Sequence, residues 1–122
     1  MKPAIRRGGV YRVPDHRLTL PPDYDRDPHP QRTVIVISGE AENENEEWPI
    51  VMVVPCSSQS SRRTKYCVKL NHGVANVDKK CWARVVAAQP LAKDEIGDFV
   101  GQLPADLLED VYVNWAEYTG QV

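Results

Sequence analysis

Arg32 and the run Ser57-Ser58-Gln59 are the residues of this sequence best suited to phosphate chemistry. Arginine carries a planar fork of donors that matches phosphate oxygens and stays charged. A serine hydroxyl, as at Ser57, can bond a phosphate oxygen or help place a reacting group. Asp27 and His29 precede Arg32 closely. Asp27 is a candidate general base, and His29 competes for that role because imidazole titrates near neutrality. Ser58 and Gln59 offer polar contacts, and Gln59 can read a base edge. Arg62, Arg63 and Lys65 form a basic run that can grip a nucleic-acid backbone. Each also has a plainer reading. Arg32 fits a surface ion pair, Ser57-Ser58 fits ordinary turn chemistry, and the loop charges fit simple solvation. No spacing among histidines, cysteines and acids matches a metal site. No metal or other cofactor is expected.

Two strands must bring Arg32 and Ser57 together. Thr33–Ser38 (TVIVIS) holds the apolar run Val34–Ile37, which implies burial on both faces. Pro49–Pro55 (PIVMVVP) is of the same kind. Between them, residues 39–47 are polar and acidic and form a short connection, with room for a helical turn. Consecutive strands joined this way pair antiparallel in most proteins. The start of the first then lies beside the end of the second, which places Arg32 near Cys56–Gln59.

The remaining elements complete a mainly β fold. Gly9–Val13 reads as a first strand ended by Pro14. Residues 14–31 form a long proline-rich loop, and loops of that length usually carry function or are disordered. Ser57–Thr64 reads as a loop, Lys65–Leu70 as an alternating strand, and Asn71–Lys79 as a turn. Cys81–Ala88 reads as a strand, interrupted by Gln89-Pro90. Lys93–Ile96 is a helical turn, and Phe99–Leu103 a last short strand. Pro104–Tyr118 is a helix, with Leu107, Leu108, Val111, Tyr112 and Trp115 recurring on one face. The whole is expected to be one domain over residues 1–122, a small SH3-like β-barrel with a C-terminal α-helix.

Composition narrows the class. The 122 residues suffice for one hydrophobic core. A formal net charge of −2 predicts no polyanion partner from bulk charge, yet the local basic runs leave nucleic acid open. Three cysteines cannot all pair within the chain, and none lies in a Cys-x-x-Cys pattern, which suits reduced thiols in the cytoplasm. The basic start MKPAIRRGG lacks a following apolar stretch, so no signal peptide is expected. Apolar runs are too short to span a membrane.

The order of motifs resembles a known family. GVYRV, a loop, RTVIVIS, PIVMVVPCSSQS, Gln89-Pro90 and GQLPADLL follow one another as in the MazF/PemK (Kid) toxins. The most specific piece is Val54–Ser60 (VPCSSQS), and the similarity runs from Gly9 to the C-terminal helix. The resemblance implies a CcdB/Kid/MazF-type barrel acting as a homodimer. It implies metal-independent, sequence-specific cleavage of single-stranded RNA, such as mRNA, and a cognate antitoxin that covers the RNA groove. Relatives of the same fold poison DNA gyrase without cleaving nucleic acid. A non-catalytic module that blocks such a target, or only binds an antitoxin, is the alternative. The resemblance places Arg32 at the family's key arginine and Ser57 at its threonine. It also shows departures. Thr33 follows Arg32 where a proline is usual, and Leu91 stands where an arginine is common. Val86 and Ala88 occupy positions where one branch has an arginine and an aspartate. The chemistry therefore falls on the Arg32–Ser57 end.

Overall fold

The computed structural model describes residues 4–22 and 29–122. Seven strands form one strongly curled antiparallel sheet, a half-barrel closed by a C-terminal helix, in agreement with the expected fold class. In chain order they are β1 (Gly9–Pro14), β2 (Gln31–Val36), β3 (Ile50–Ser57), β4 (Val68–Leu70), β5 (Cys81–Ala83), β6 (Gln89–Ala92) and β7 (Phe99–Gln102). Helix α1 (Glu40–Glu44) lies between β2 and β3, and α2 (Ala105–Tyr118) ends the fold. The path across the sheet is β4-β5-β3-β2-β1-β7, and β6 pairs with β3 beside it.

The central pair is the expected one. β2 and β3 run antiparallel, with Val34 opposite Pro55 and Val36 opposite Val53. Val34, Ile35 and Val36 are fully buried because both faces of the sheet are covered. One face packs Ile35, Val54 and Cys56 under Leu108 and Val111 of α2. The other packs Val34, Val36, Val51 and Val53 against Leu18 and Leu20. Burying each such aliphatic side chain contributes roughly 1.5–3 kcal/mol. The strands nevertheless sit further toward the Arg32 end than expected. β2 begins at Gln31, because β1 pairs with it as far as Pro14 opposite Gln31. β3 continues to Ser57, because β5 supplies a partner for it in Trp82. Arg32 and Ser57 therefore lie within strands, not in the loops that flank them.

Three further expectations need correction. The segment Cys81–Ala88 is not one strand. β5 stops at Ala83, and a 3-10 turn over Val85–Ala87 follows, closed by Ala87 N–H to the Arg84 carbonyl at 2.9 Å. The chain then rejoins β3 as β6, with Pro90 opposite Met52. Pro90 is tolerated there because, among the described residues, β6 has β3 as its one sheet neighbour and the missing N–H falls on the other edge. The strand expected over Lys65–Leu70 shrinks to Val68–Leu70, since its partner β5 has three residues. A turn before it is held by Cys67 N–H to the Thr64 carbonyl and Tyr66 N–H to Thr64 Oγ1, each 3.2 Å. Finally, the start of the proline-rich loop is built into the fold. Asp15–Arg17 form a 3-10 turn, and Leu18 and Leu20 fill the second core face.

Helix α2 follows its sequence signals closely. Pro104 caps it, Asp106 favours the positive N-terminal end, and Leu108 and Val111 are buried one turn apart. Gly120 closes it in the left-handed region at φ 78°. In the same core cluster as α2, Gly101 lets β7 approach the turn Val74–Asn76. A Cβ there would come within 2.3 Å of the Ala75 carbonyl oxygen. Val77, just after that turn, is buried in the same cluster. Among the described residues, no helix is long and apolar enough to cross a membrane.

Candidate functional site

Arg32 sits opposite Val13 of β1, at the end of the sheet where β1, β2 and β3 finish together. Its guanidinium is held from two sides. Nε donates to Asp15 Oδ1 at 2.7 Å, and Nη1 donates to the Cys56 carbonyl at 3.0 Å. The ion pair is well buried, with side-chain exposures of 10% for Arg32 and 3% for Asp15. Removing one member of such a pair typically costs about 3–5 kcal/mol, because the other charge is left buried. Among the described residues, Nη2 of Arg32 has no hydrogen-bond partner.

Arg32 lines a cavity of about 240 Å³. The buried residues Cys56, Val77 and Cys81 contribute its apolar part. Exposed Arg12, His29, Gln31, Ser58, Asp78 and Lys79 form its polar rim, with Thr33 and Val100 between. The thiols interact with each other. The hydrogen bond to Cys81, with burial added, pushes the Cys56 thiol well above its ordinary pKa. The same bond lowers Cys81, against the effect of burial. Among the described residues, no cluster of three or more His, Cys, Asp or Glu side chains is gathered as metal ligands.

The residues singled out in the sequence are distributed as follows. Arg32, His29 and Ser58 share the cavity. The His29 backbone N–H donates to Asp15 Oδ2 at 3.1 Å, so His29 is tied to the carboxylate that holds Arg32. Ser57 is buried at the end of β3, and its hydroxyl accepts the Gln59 N–H at 3.2 Å. It adjoins Cys56, whose carbonyl holds Arg32, while Ser58 is the serine on the cavity wall. Gln59, Arg62, Arg63 and Lys65 lie beyond the cavity. Arg62 donates to the Pro22 carbonyl, Arg63 stacks over Trp82 at 5.7 Å, and Lys65 over Tyr66 at 5.2 Å. Asp27 lies outside the described residues.

A model of the PemK-like, MazF-like toxins of type II toxin-antitoxin systems matches residues 6–115. The chain belongs to this family. Solved structures agree in fold. A mycobacterial endoribonuclease in complex with its cognate antitoxin has 20% identity and a TM-score of 0.66, covering 96% of this chain and 94% of that one. A MazE-MazF structure from Deinococcus radiodurans has 14% identity and a TM-score of 0.69 over 98% of both chains. The Mycobacterium tuberculosis toxin MazF-mt6 has 13% identity and a TM-score of 0.69 over 92% and 96%. A search of the curated proteins gives no match.

Within this PemK/MazF-like chain, sequence reasoning missed Asp15, Arg12 and the Val77–Lys79 segment. For Asp15 a signal existed. It directly follows Pro14 at the end of β1, and extending the β1–β2 pairing would have placed it beside Arg32. No local pattern marks Val77–Lys79, which line the cavity from a segment distant in sequence from Arg32.

Proposed function

We propose that this toxin is a metal-independent, sequence-specific endoribonuclease that cleaves single-stranded RNA, mRNA included. It acts as a homodimer and is neutralised by a cognate antitoxin. The observation that carries this reading is the Arg32 guanidinium, anchored on Asp15 and the Cys56 carbonyl with Nη2 unpaired among the described residues, on a side chain that lines a cavity with His29 and Ser58.

Cleavage without a metal needs a base to take the 2′-OH proton, an acid for the leaving 5′-oxygen and a cation for the crowded phosphorane. Arg32 is the cation. Its pre-set orientation lets it meet developing charge with little reorganisation. His29 or Asp27 takes the proton from the 2′-OH; the 2′-oxygen attacks phosphorus and the P–O5′ bond breaks, leaving a 2′,3′-cyclic phosphate, while the expelled 5′-oxygen takes a proton from water to become the free 5′-OH. Ser57 supports the phosphate end of β3, with Ser58 and Gln59 available to bases. Arg62, Arg63 and Lys65 supply backbone attraction beyond the cavity. Membership of the PemK/MazF-like toxins and the likeness in fold to a mycobacterial endoribonuclease bound to its antitoxin support the same class.

Brief expression followed by mapping of new RNA 5′ ends tests this. Recurrent cleavage at one short sequence, absent with Arg32→Ala, is the expected result. Growth arrest with intact RNA would instead favour a non-catalytic module acting on a protein such as DNA gyrase. The residues Val86 and Ala88, which lack the ionisable side chains of one family branch, are the observation on that side.

A further inference from the structure

We infer that Asp15 is a positioning residue that sets two groups of the site at once, Arg32 through its side chain and His29 through its backbone. This inference rests on the endoribonuclease reading above. The carboxylate divides its oxygens. Oδ1 accepts Arg32 Nε at 2.7 Å, and Oδ2 accepts the His29 N–H at 3.1 Å. Engaging Nε fixes the guanidinium plane from its inner edge. Nη1 is then taken by the Cys56 carbonyl, which leaves Nη2 for a ligand.

Asp15 is itself rigidly placed. Its backbone N–H donates to the Pro30 carbonyl at 3.4 Å, and its carbonyl accepts the Leu18 N–H at 3.1 Å. Leu18 and Leu20 anchor the segment in the core. One carboxylate thus couples the end of β1, the return of the proline-rich loop and the start of β2. Asparagine has the same shape but one acceptor oxygen. It cannot accept both N–H groups, so either Arg32 or His29 loses its hold. A shift of about 1 Å at such a group costs on the order of a hundredfold in rate.

The test compares wild type, Asp15→Asn, Arg32→Lys and the double variant. It reads kcat and KM on a defined single-stranded RNA and the NMR signal of Arg32 Nε–H. In wild type that signal is expected to be resolved and slow to exchange with solvent; fast exchange overturns the inference without any variant. Asp15→Asn is expected to lower kcat about 10- to 100-fold with KM changed less than about threefold. The double variant is expected to lose clearly less than the product of the two single losses, since the part of the Asp15 effect that runs through Arg32 is already gone. Losses that multiply, or a drop in thermal stability with kcat intact, assign Asp15 a purely structural role and overturn the inference. If wild type leaves all RNA intact, the endoribonuclease reading fails separately. The Arg32 Nε–H signal of the two proteins then decides. Slow exchange in wild type that becomes fast in Asp15→Asn supports positioning, and an unchanged signal overturns it.

Discussion

The paired strands β2 and β3 carry a buried polar cluster at each end, and the two are finished differently. Where a short connection joins the strands, Asn43 of α1 is buried. Its Nδ2 donates to the Ser38 carbonyl at 2.8 Å, and its Oδ1 accepts the Ser38 hydroxyl at 2.7 Å. The same hydroxyl oxygen accepts the Met52 N–H at 3.1 Å. The cluster closes on itself and stitches the connection to both strands. At the far end Asp15 is buried and Arg32 nearly so, but among the described residues Arg32 keeps a nitrogen without a hydrogen-bond partner, and it lines a cavity. Burial of a polar group therefore does not mark function by itself. What sets the Arg32 end apart is a donor left over among the described residues, beside a cavity.

Substitutions at the two ends should separate accordingly. The largest effect belongs to Arg32→Ala, which is expected to lower cleavage about 100- to 1,000-fold, the range for losing a fixed donor to a charged transition state. Gel assay of a labelled RNA reads this, and Arg32→Lys should recover little, because a point charge does not replace the fork. Asn43→Ala is the counterpart. It leaves Ser38 groups unpaired and should cost about 1–3 kcal/mol in urea unfolding, with kcat unchanged while the protein is folded. A fall in kcat there would erase the distinction between the ends.

Ser57→Ala sharpens the comparison within the open end. Its hydroxyl bonds the Gln59 N–H and adjoins the residue that holds Arg32. About a tenfold loss of kcat is expected, recovered by Ser57→Thr, with stability changed by about 1 kcal/mol or less. The smallest effect is set for Arg63→Ala. Arg63 stacks on Trp82 beyond the cavity, so its loss should weaken RNA binding a few-fold. It should also flatten the log affinity against log salt slope by about 0.7.

Much of the open end was legible in the chain. Two apolar runs with a polar link require an antiparallel pair, and that pairing alone puts Arg32 beside Cys56, as the 3.0 Å bond to its carbonyl confirms. The helix over 105–118 was legible for the same reason, a repeating apolar face. Asp15 was not, because it lies among prolines that read as surface loop, while Leu18 and Leu20 pull that stretch into the core. The segment Cys81–Ala88 misled because valine and alanine suit a strand and a tight turn alike. Local preference could not decide, and pairing along β3 did. The cavity itself is assembled from segments distant in sequence, so nothing local announces it.

The central claim is that chemistry resides at the Arg32 end and architecture at the Asn43 end. Its most direct test is one incubation in EDTA of a long single-stranded RNA with purified wild type, Arg32→Ala and Asn43→Ala, each first shown to be folded by circular dichroism. Wild type and Asn43→Ala are expected to cut at the same recurrent sites, while Arg32→Ala leaves the RNA intact. Intact RNA with folded wild type, or equal cutting by Arg32→Ala, would contradict the account.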